Sequence, residues 1–182
     1  MVHFLNQGII DETFEIHTFE GNPECRVADR LKTLKYDLAN CTFHQKLVWI
    51  SDDIIAFNQE NHKNSWPGSP DDGTSDIDGW ASSIAGIGFV HPGYEAPIMC
   101  ESIDFSRFIG ELPPDSNIVC KLDIEGSEFA VLRKLLHDGT INRISKLYVE
   151  FHERFMENES TESTNELRLQ VQKLGIEINP WS

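Results

Sequence analysis

The stretch Val119-Cys-Lys-Leu-Asp-Ile-Glu-Gly-Ser-Glu128 decides the fold of this chain. Residues 118–124 are rich in apolar side chains and predict a buried strand, and residues 125–127 predict a tight connection. A helix with one apolar face follows and ends at Gly139. Residues 146–152 then predict another strand. This order of strand, helix and strand predicts two parallel strands joined by a helical crossover.

The rest of the chain continues the alternation of strands and helices. Residues 14–19 alternate as in a strand, and Asn22-Pro23-Glu24 predicts the start of a helix whose apolar stripe extends to Leu38. Ser163 and Glu166 form the pattern of a capping box for a last helix. The remaining predicted elements are strands at 42–50, 54–58, 97–104 and 176–178, and a short helix at 105–112.

Composition limits the classes of protein and partner. The chain has 182 residues, with 30 acidic side chains against 15 basic ones and a net charge of −15. A length of this order suits one domain spanning residues 1–182. An acidic surface repels phosphate backbones, so we expect no nucleic-acid partner. No apolar run is long enough to span a membrane, and the first residues lack the pattern of a signal peptide.

The cysteines are consistent with a cytoplasmic protein. They are widely spaced and form no C-x-x-C pair, which disfavours a metal finger or a disulfide scaffold. We therefore expect free thiols in a reducing compartment at all four positions, Cys25, Cys41, Cys100 and Cys120.

A long polar segment follows the strand predicted at 54–58. Residues 59–79 are rich in Asp, Ser, Gly and Pro and predict a surface loop, within a longer irregular region that extends to about residue 97. Gly86-Ile-Gly88 begins like a dinucleotide-binding fingerprint, but His91 replaces the third glycine. We expect the aromatic side chains of this region to cover the core or to shape a binding face: Trp66, Trp80, Phe89 and Tyr94.

Acidic side chains and one histidine follow three of the predicted strands. In open α/β sheets, ligands bind beyond the carboxyl ends of the strands, so these positions are candidates for a site. Each has a structural alternative: Glu20 stabilises a helix N-terminus, Ser127 and Glu128 cap a helix, and His152 is a core histidine. An acid at the end of an apolar strand is costly unless it is used. The candidates are Glu20, Asp123, Glu125, Glu150 and His152.

At this point the chain resembles the FkbM-type methyltransferases. The quoted stretch and Leu147-Tyr-Val-Glu-Phe-His152 look like the core of that family. Thr18-Phe-Glu-Gly-Asn-Pro-Glu24 resembles its F-E-P-N-P segment, with Gly21 where proline is usual. Lys46-Leu-Val-Trp49 with Ser51-Asp52 resembles its K-A-x-W-x-x-D hairpin, and residues 103–108 match the segment before the central strand. The resemblance covers about residues 14 to 155.

The resemblance implies a class I, Rossmann-like methyltransferase fold: a mainly parallel sheet with helices on both faces. It also implies S-adenosylmethionine as the cofactor. Glu20 would hydrogen-bond the ribose hydroxyls, with Asn22 close by and Ser51-Asp52 near the adenine. Asp123 would lie beside the methyl group. The acceptor side would be lined by Glu125, Glu150 and His152.

The implied reaction is O-methylation of a hydroxyl on a small-molecule or glycan acceptor, such as a sugar, a glycolipid or a polyketide-like compound. Positioning supplies much of the acceleration, and His152 or Asp123 would take the hydroxyl proton. A divalent cation bridging members of this group is compatible with their ligand types, but we expect a site without metal.

One element of the family pattern has no match in the sequence. The glycine-rich D-x-G-A-N-x-G segment is absent, and residues 1–10 resemble the end of the helix that would follow it. We therefore expect the first strand of the fold to be missing, leaving two unpaired strand edges unless the sheet re-pairs or forms a homodimer. We also expect weak cofactor binding. A catalytically inactive binding module is the alternative function, and a metal-dependent hydrolase is a third.

Overall fold

The computed structural model of the chain describes residues 2–11, 13–23, 39–59, 82–90 and 96–181. This part of the chain is an α/β structure. Its α-helices are α1 (Val2–Asn6), α2 (Phe105–Glu111), α3 (Glu128–Asp138) and α4 (Thr161–Gln172). Its strands are β1 (Ile16–Phe19), β2 (Cys41–His44), β3 (Leu47–Trp49), β4 (Ile54–Asn58), β5 (Ser83–Ile84), β6 (Ile98–Asp104), β7 (Ile118–Leu122), β8 (Ile144–Val149) and β9 (Ile178–Pro180).

The unit β7–α3–β8 confirms the strand, helix and strand predicted from the quoted stretch. β7 and β8 are parallel, and Leu122 pairs with Val149 at their carboxyl ends. α3 buries its apolar face against the main core, which includes Leu132 and Leu135. The helix ends at Gly139, whose φ of 74° is the left-handed conformation typical of a helix C-terminus.

The strands lie in three separate sheets. β1 pairs with β2, the order β3-β6-β4-β5 forms a second sheet, and β7-β8-β9 forms a third. The first and third are parallel throughout, whereas β4 runs antiparallel to both β5 and β6. Parallel pairs therefore predominate, but within the described ranges they do not form the one sheet expected from the sequence.

The strand predicted at residues 42–50 is wrong as a single element. It is divided into β2 and β3, which belong to different sheets. Between them, the Gln45 side chain donates through Nε2 to the carbonyl oxygens of Glu20 and Asn22, at 2.7 and 3.2 Å. These hydrogen bonds fix Gln45 at the point where the chain passes from the sheet of β2 to the sheet of β3.

The predicted start of the last helix is also wrong, by one turn. The capping box joins Ser160 and Ser163: the Ser163 amide donates to Ser160 Oγ at 3.3 Å, and the Ser160 amide donates to Ser163 Oγ at 2.8 Å. Ser163 is thus at position N3 of the capping box, and Ser160 is the N-cap residue. The last strand begins at Ile178, later than the predicted 176–178.

A cavity of about 730 Å³ separates β1 from β7. Within the described residues, β1 pairs with β2 alone and β7 with β8 alone, and residues of both β1 and β7 line the cavity. The side chains of α2 close one wall of the cavity.

Some predictions from the sequence concern residues that the structure does not describe. The predicted helix after Asn22 and most of the predicted loop lie outside the described residues, as do Cys25, Trp66, Trp80 and Tyr94. Cys41, Cys100 and Cys120 are free, as predicted, and burial raises the pKa of Cys120 to about 12. No helix in the described ranges is long and apolar enough to cross a membrane.

Candidate functional site

The candidate site is built at the carboxyl ends of β7 and β8. The Glu150 amide donates to the Leu122 carbonyl oxygen at 3.0 Å, so the two strand ends are held side by side. Asp123 and Glu150 are the first residues beyond these strands. Their side chains therefore leave neighbouring strands at the same edge of the sheet.

The connection from β7 to α3 is a tight turn that needs an unusual backbone. The Ser127 amide donates to the Ile124 carbonyl oxygen at 3.2 Å, and the two residues between them, Glu125 and Gly126, have φ values of 50° and 90°. Two positive φ values in succession are typical of a type I′ turn. A side chain at Gly126 would also collide with Met156 and approach Phe89 to 2.9 Å.

His152 is the centre of the site. Its side chain is 6% exposed, and its Nδ1 donates to Glu128 Oε1 at 2.9 Å. Glu128 is fully buried, and the same oxygen accepts the Ile124 amide at 2.8 Å. The imidazole is therefore held by a buried carboxylate on the first turn of α3.

The other ring nitrogen of His152 faces three carboxylates. Nε2 lies 3.5 Å from Glu125 Oε2, 3.8 Å from Glu150 Oε1 and 4.0 Å from Asp123 Oδ1. We call this group, together with Glu128, the acid–histidine cluster. The structure thus brings together all four residues predicted as catalytic, and Phe89 adds a wall with its ring 6.2 Å from that of His152.

The charges of the acid–histidine cluster are strongly coupled. Burial raises the pKa of Glu125 to about 8; His152 opposes this rise, whereas the carboxylates of Asp123, Glu128 and Glu150 add to it. For His152, burial by itself lowers the pKa, but the hydrogen bond to Glu128 and the surrounding carboxylates prevail and raise it to about 9. The site therefore favours positive charge at its centre.

Asp123 is, with Glu150, one of the two members of the acid–histidine cluster most open to solvent: their side chains are 30% and 33% exposed. Its Oδ2 accepts from Lys121 Nζ at 2.6 Å, and its Oδ1 is turned toward His152. Asp123 also lines the cavity between β1 and β7. It therefore connects the acid–histidine cluster with that cavity.

The predicted cofactor-binding residues Glu20 and Asn22 lie in a separate turn. Glu20 Oε1 accepts the Asn22 amide at 2.7 Å. Asn22 is buried, and its Oδ1 accepts from Gln59 Nε2 at 2.9 Å. Both side chains thus take part in hydrogen bonds within the protein.

Ser51 and Asp52 lie on the β3–β4 connection. The Ser51 carbonyl oxygen accepts from Ser102 Oγ at 2.8 Å. Asp52 forms a two-point ion pair with Arg107, with Oδ2 accepting from Nε at 3.0 Å and Oδ1 from Nη2 at 2.8 Å. The pairing with Arg107 lowers the pKa of Asp52.

The cavity reaches the acid–histidine cluster but not the predicted cofactor-binding residues. Its lining includes Phe19, which precedes Glu20, and Asp123, but none of the four residues Glu20, Asn22, Ser51 and Asp52. Thr18 also lines it, and the Thr18 Oγ1 atom is buried without a hydrogen-bond partner in the described part of the chain. The assignment of cofactor contacts to those four residues stays a prediction.

Sequence reasoning missed the function of Glu128. Helix capping was the favoured interpretation of Ser127 and Glu128, but Ser127 makes no side-chain cap hydrogen bond. Glu128 instead binds His152 and the Ile124 amide. The sequence holds no local signal that separates the two roles, since an acid in the first turn of a helix is favourable whether or not it is buried.

The comparison with protein-family models identifies the family of the chain. The family model described as Methyltransferase FkbM domain matches residues 3–178, which include both strand ends and the whole acid–histidine cluster. No curated protein and no solved structure matches the chain. The chain belongs to the FkbM methyltransferase family.

Proposed function

We propose that residues 1–182 form one methyltransferase domain with a Rossmann-like class I arrangement, which transfers a methyl group from S-adenosylmethionine to a hydroxyl oxygen. The acceptor is a small molecule or glycan, such as a sugar, a glycolipid or a polyketide-like compound. The observation that carries the proposal is the convergence of Asp123, Glu125 and Glu150 on His152 at two adjacent strand ends.

The residues present fit a cationic cofactor. S-adenosylmethionine would supply an electrophilic methyl group and a thioether leaving group that keeps the electron pair of the broken C–S bond. The carboxylates of the acid–histidine cluster favour a positive charge, and Asp123 extends this field to the cavity. The buried, unpartnered Thr18 Oγ1 offers a further polar contact inside the cavity.

Asp123 is the best placed proton acceptor. Its side chain is 30% exposed and lines the cavity, whereas that of His152 is 6% exposed and does not, so an acceptor in the cavity meets Asp123 before His152. As the hydroxyl oxygen forms its bond to the methyl carbon, its proton passes to the Asp123 carboxylate. His152 and Glu128 keep the neighbouring carboxylates in position.

Transfer of a labelled methyl group tests the proposal. The chain is incubated with millimolar methyl-labelled S-adenosylmethionine and a panel of hydroxylated sugars, glycolipids and polyketide-like compounds. We expect a labelled ether product, and we expect Asp123→Asn to reduce its rate about 100-fold or more. The control Asp115→Asn removes an exposed carboxylate outside the acid–histidine cluster and should retain the rate.

Two outcomes contradict the proposal. One is a chain that neither binds S-adenosylmethionine nor forms product with any acceptor, which favours the inactive binding module. The other is product formation at the same rate in Asp123→Asn and Asp115→Asn, which removes Asp123 from the reaction.

A further inference from the structure

The donor atoms of the acid–histidine cluster are spaced as ligands of one ion. One ligand atom each from Asp123, Glu125 and His152 lies within 4.8 Å of the other two. Two ligands that are each about 2.1 Å from an ion lie about 3 to 4 Å apart. The distances from His152 Nε2 to the two carboxylates, 3.5 and 4.0 Å, fall in this range. Small side-chain rotations suffice to close the site around an ion.

His152 provides a second, independent observation. It is 5% exposed, and Glu128 already occupies its Nδ1. Its Nε2 lies 3.5, 3.8 and 4.0 Å from oxygens of Glu125, Glu150 and Asp123, so it is directed into the group of carboxylates. Histidines that bind metals characteristically donate the other ring N–H to a carboxylate, which orients the free nitrogen toward the ion. Glu128 is placed to do this.

The charges around Nε2 also call for a cation. Asp123, Glu125 and Glu150 each bring a carboxylate oxygen to within 4.0 Å of this nitrogen. Lys121 takes Oδ2 of Asp123, which leaves Oδ1 turned inward. Carboxylates gathered this closely repel one another, and an ion bound between them removes the repulsion.

We propose that Asp123, Glu125 and His152 bind a divalent first-row metal ion, with Glu150 in reach as a fourth ligand and Glu128 as a positioning residue. Mixed carboxylate and imidazole ligands suit ions such as Mn²⁺, Fe²⁺ and Zn²⁺. Ca²⁺ fits less well because it takes oxygen ligands. The proposal stands independently of methyl transfer, since it rests on the donor atoms alone.

Binding of Mn²⁺ alone to the full chain tests this site. Titration without S-adenosylmethionine, followed by electron paramagnetic resonance of free Mn²⁺ and by calorimetry, should give one saturable site per chain. Asp123→Asn and Glu125→Gln should each weaken binding about 10-fold or more. Glu128→Gln should also weaken it while Nδ1 keeps a hydrogen-bond acceptor.

The control is His137→Gln. His137 is an exposed histidine whose Nδ1 lies 2.9 Å from Asp138 Oδ1, so it represents a histidine–carboxylate pair elsewhere on the chain. It should bind Mn²⁺ as the unchanged chain does. Because loss of the buried His152 can unfold the chain, the partly exposed carboxylates carry the test, and circular dichroism verifies that each variant is folded.

The absence of saturable binding overturns the proposal, as does an equal loss of affinity in His137→Gln and Glu125→Gln. Saturable Mn²⁺ binding without methyl transfer would leave the metal site in place and contradict the proposed function. Methyl transfer without Mn²⁺ binding would support the proposed function and contradict the metal site.

Discussion

Glu125 has a backbone conformation that few residues with side chains adopt. Its φ of 50° lies in the left-handed region, and Gly126 follows with 90°. A strained residue of this kind is retained where the surrounding structure holds it in place. Here the turn holds the Glu125 carboxylate 3.5 Å from His152 Nε2. The turn is therefore part of the site and not only a connection.

Replacement of Gly126 tests how tightly this turn is packed. Gly126→Ala adds a methyl group that meets Met156 and Phe89 and also requires a positive φ. We expect a loss of about 2–4 kcal/mol in the free energy of unfolding, from backbone strain and overpacking together. Urea denaturation followed by circular dichroism measures it.

Gly175→Ala is the matched control. Gly175 has a similar φ of 79°, but nothing lies within 4 Å of its added methyl group. It should lose about 1 kcal/mol, the cost of the backbone alone. Equal losses in the two variants would contradict close packing at Gly126.

In helix α4, the effect of burial on stability can be measured separately from the effect of helix propensity. Leu167 and Leu169 are two positions apart in the helix, and they are 2% and 55% exposed. Residues two apart on a helix point in different directions, so Leu167 enters the core and Leu169 faces solvent. The same substitution at the two positions therefore differs in burial alone.

We expect Leu167→Ala to lower the free energy of unfolding by about 2–5 kcal/mol, because it leaves a cavity in the core. Leu169→Ala should change it by about 0.5 kcal/mol or less. Thermal or urea unfolding measures both. Similar losses at the two positions would show that α4 does not pack as described.

For the described molecule as a whole, the main feature is the cavity between two parallel sheets. β8 pairs on both edges, with β7 and β9, whereas β7 pairs on one. The edge of β7 that faces the cavity carries backbone groups without ladder partners in the described chain. An unpaired edge of this kind exchanges its amide hydrogens more easily than a paired one.

Hydrogen exchange measured by nuclear magnetic resonance should distinguish the two strands. Successive amides of a strand point to opposite edges, so about half of those in β7 should exchange fast. The internal control is residues 147–149 of β8, which have strand partners on both edges and whose amides should be protected. Uniform protection along β7 would contradict an unpaired edge at the cavity.

The net charge of −15 has a local counterpart in the structure. Asp123, Glu125 and Glu150 converge on one histidine, so part of the acidic excess is concentrated at the strand ends. Glu20, which the resemblance assigns to the same ligand, instead accepts the Asn22 amide in its own turn. The acidic side chains at the strand ends are therefore those predicted as catalytic, whereas Glu20 was predicted to bind the cofactor.

Local patterns predicted the strand–helix–strand unit and the family from sequence. These elements can be recognised without the fold, because their signals lie between near neighbours in the sequence. They are the apolar run of β7, the apolar face of α3 and the glycine at its end, Gly139. The placement of Asp123 and His152 at strand ends was also predictable, because parallel strands share one edge for their carboxyl ends.

The tertiary structure alone decided the partners of these residues. Contacts between distant segments divided residues 42–50 between two sheets, and the pairing of Glu128 with His152 joins positions 24 residues apart. No local pattern contains such information, because the energy of a buried pair depends on what the fold brings within hydrogen-bonding distance. A helix-capping acid and a buried partner of histidine look alike until the chain folds, and only the buried environment of Glu128 distinguishes them.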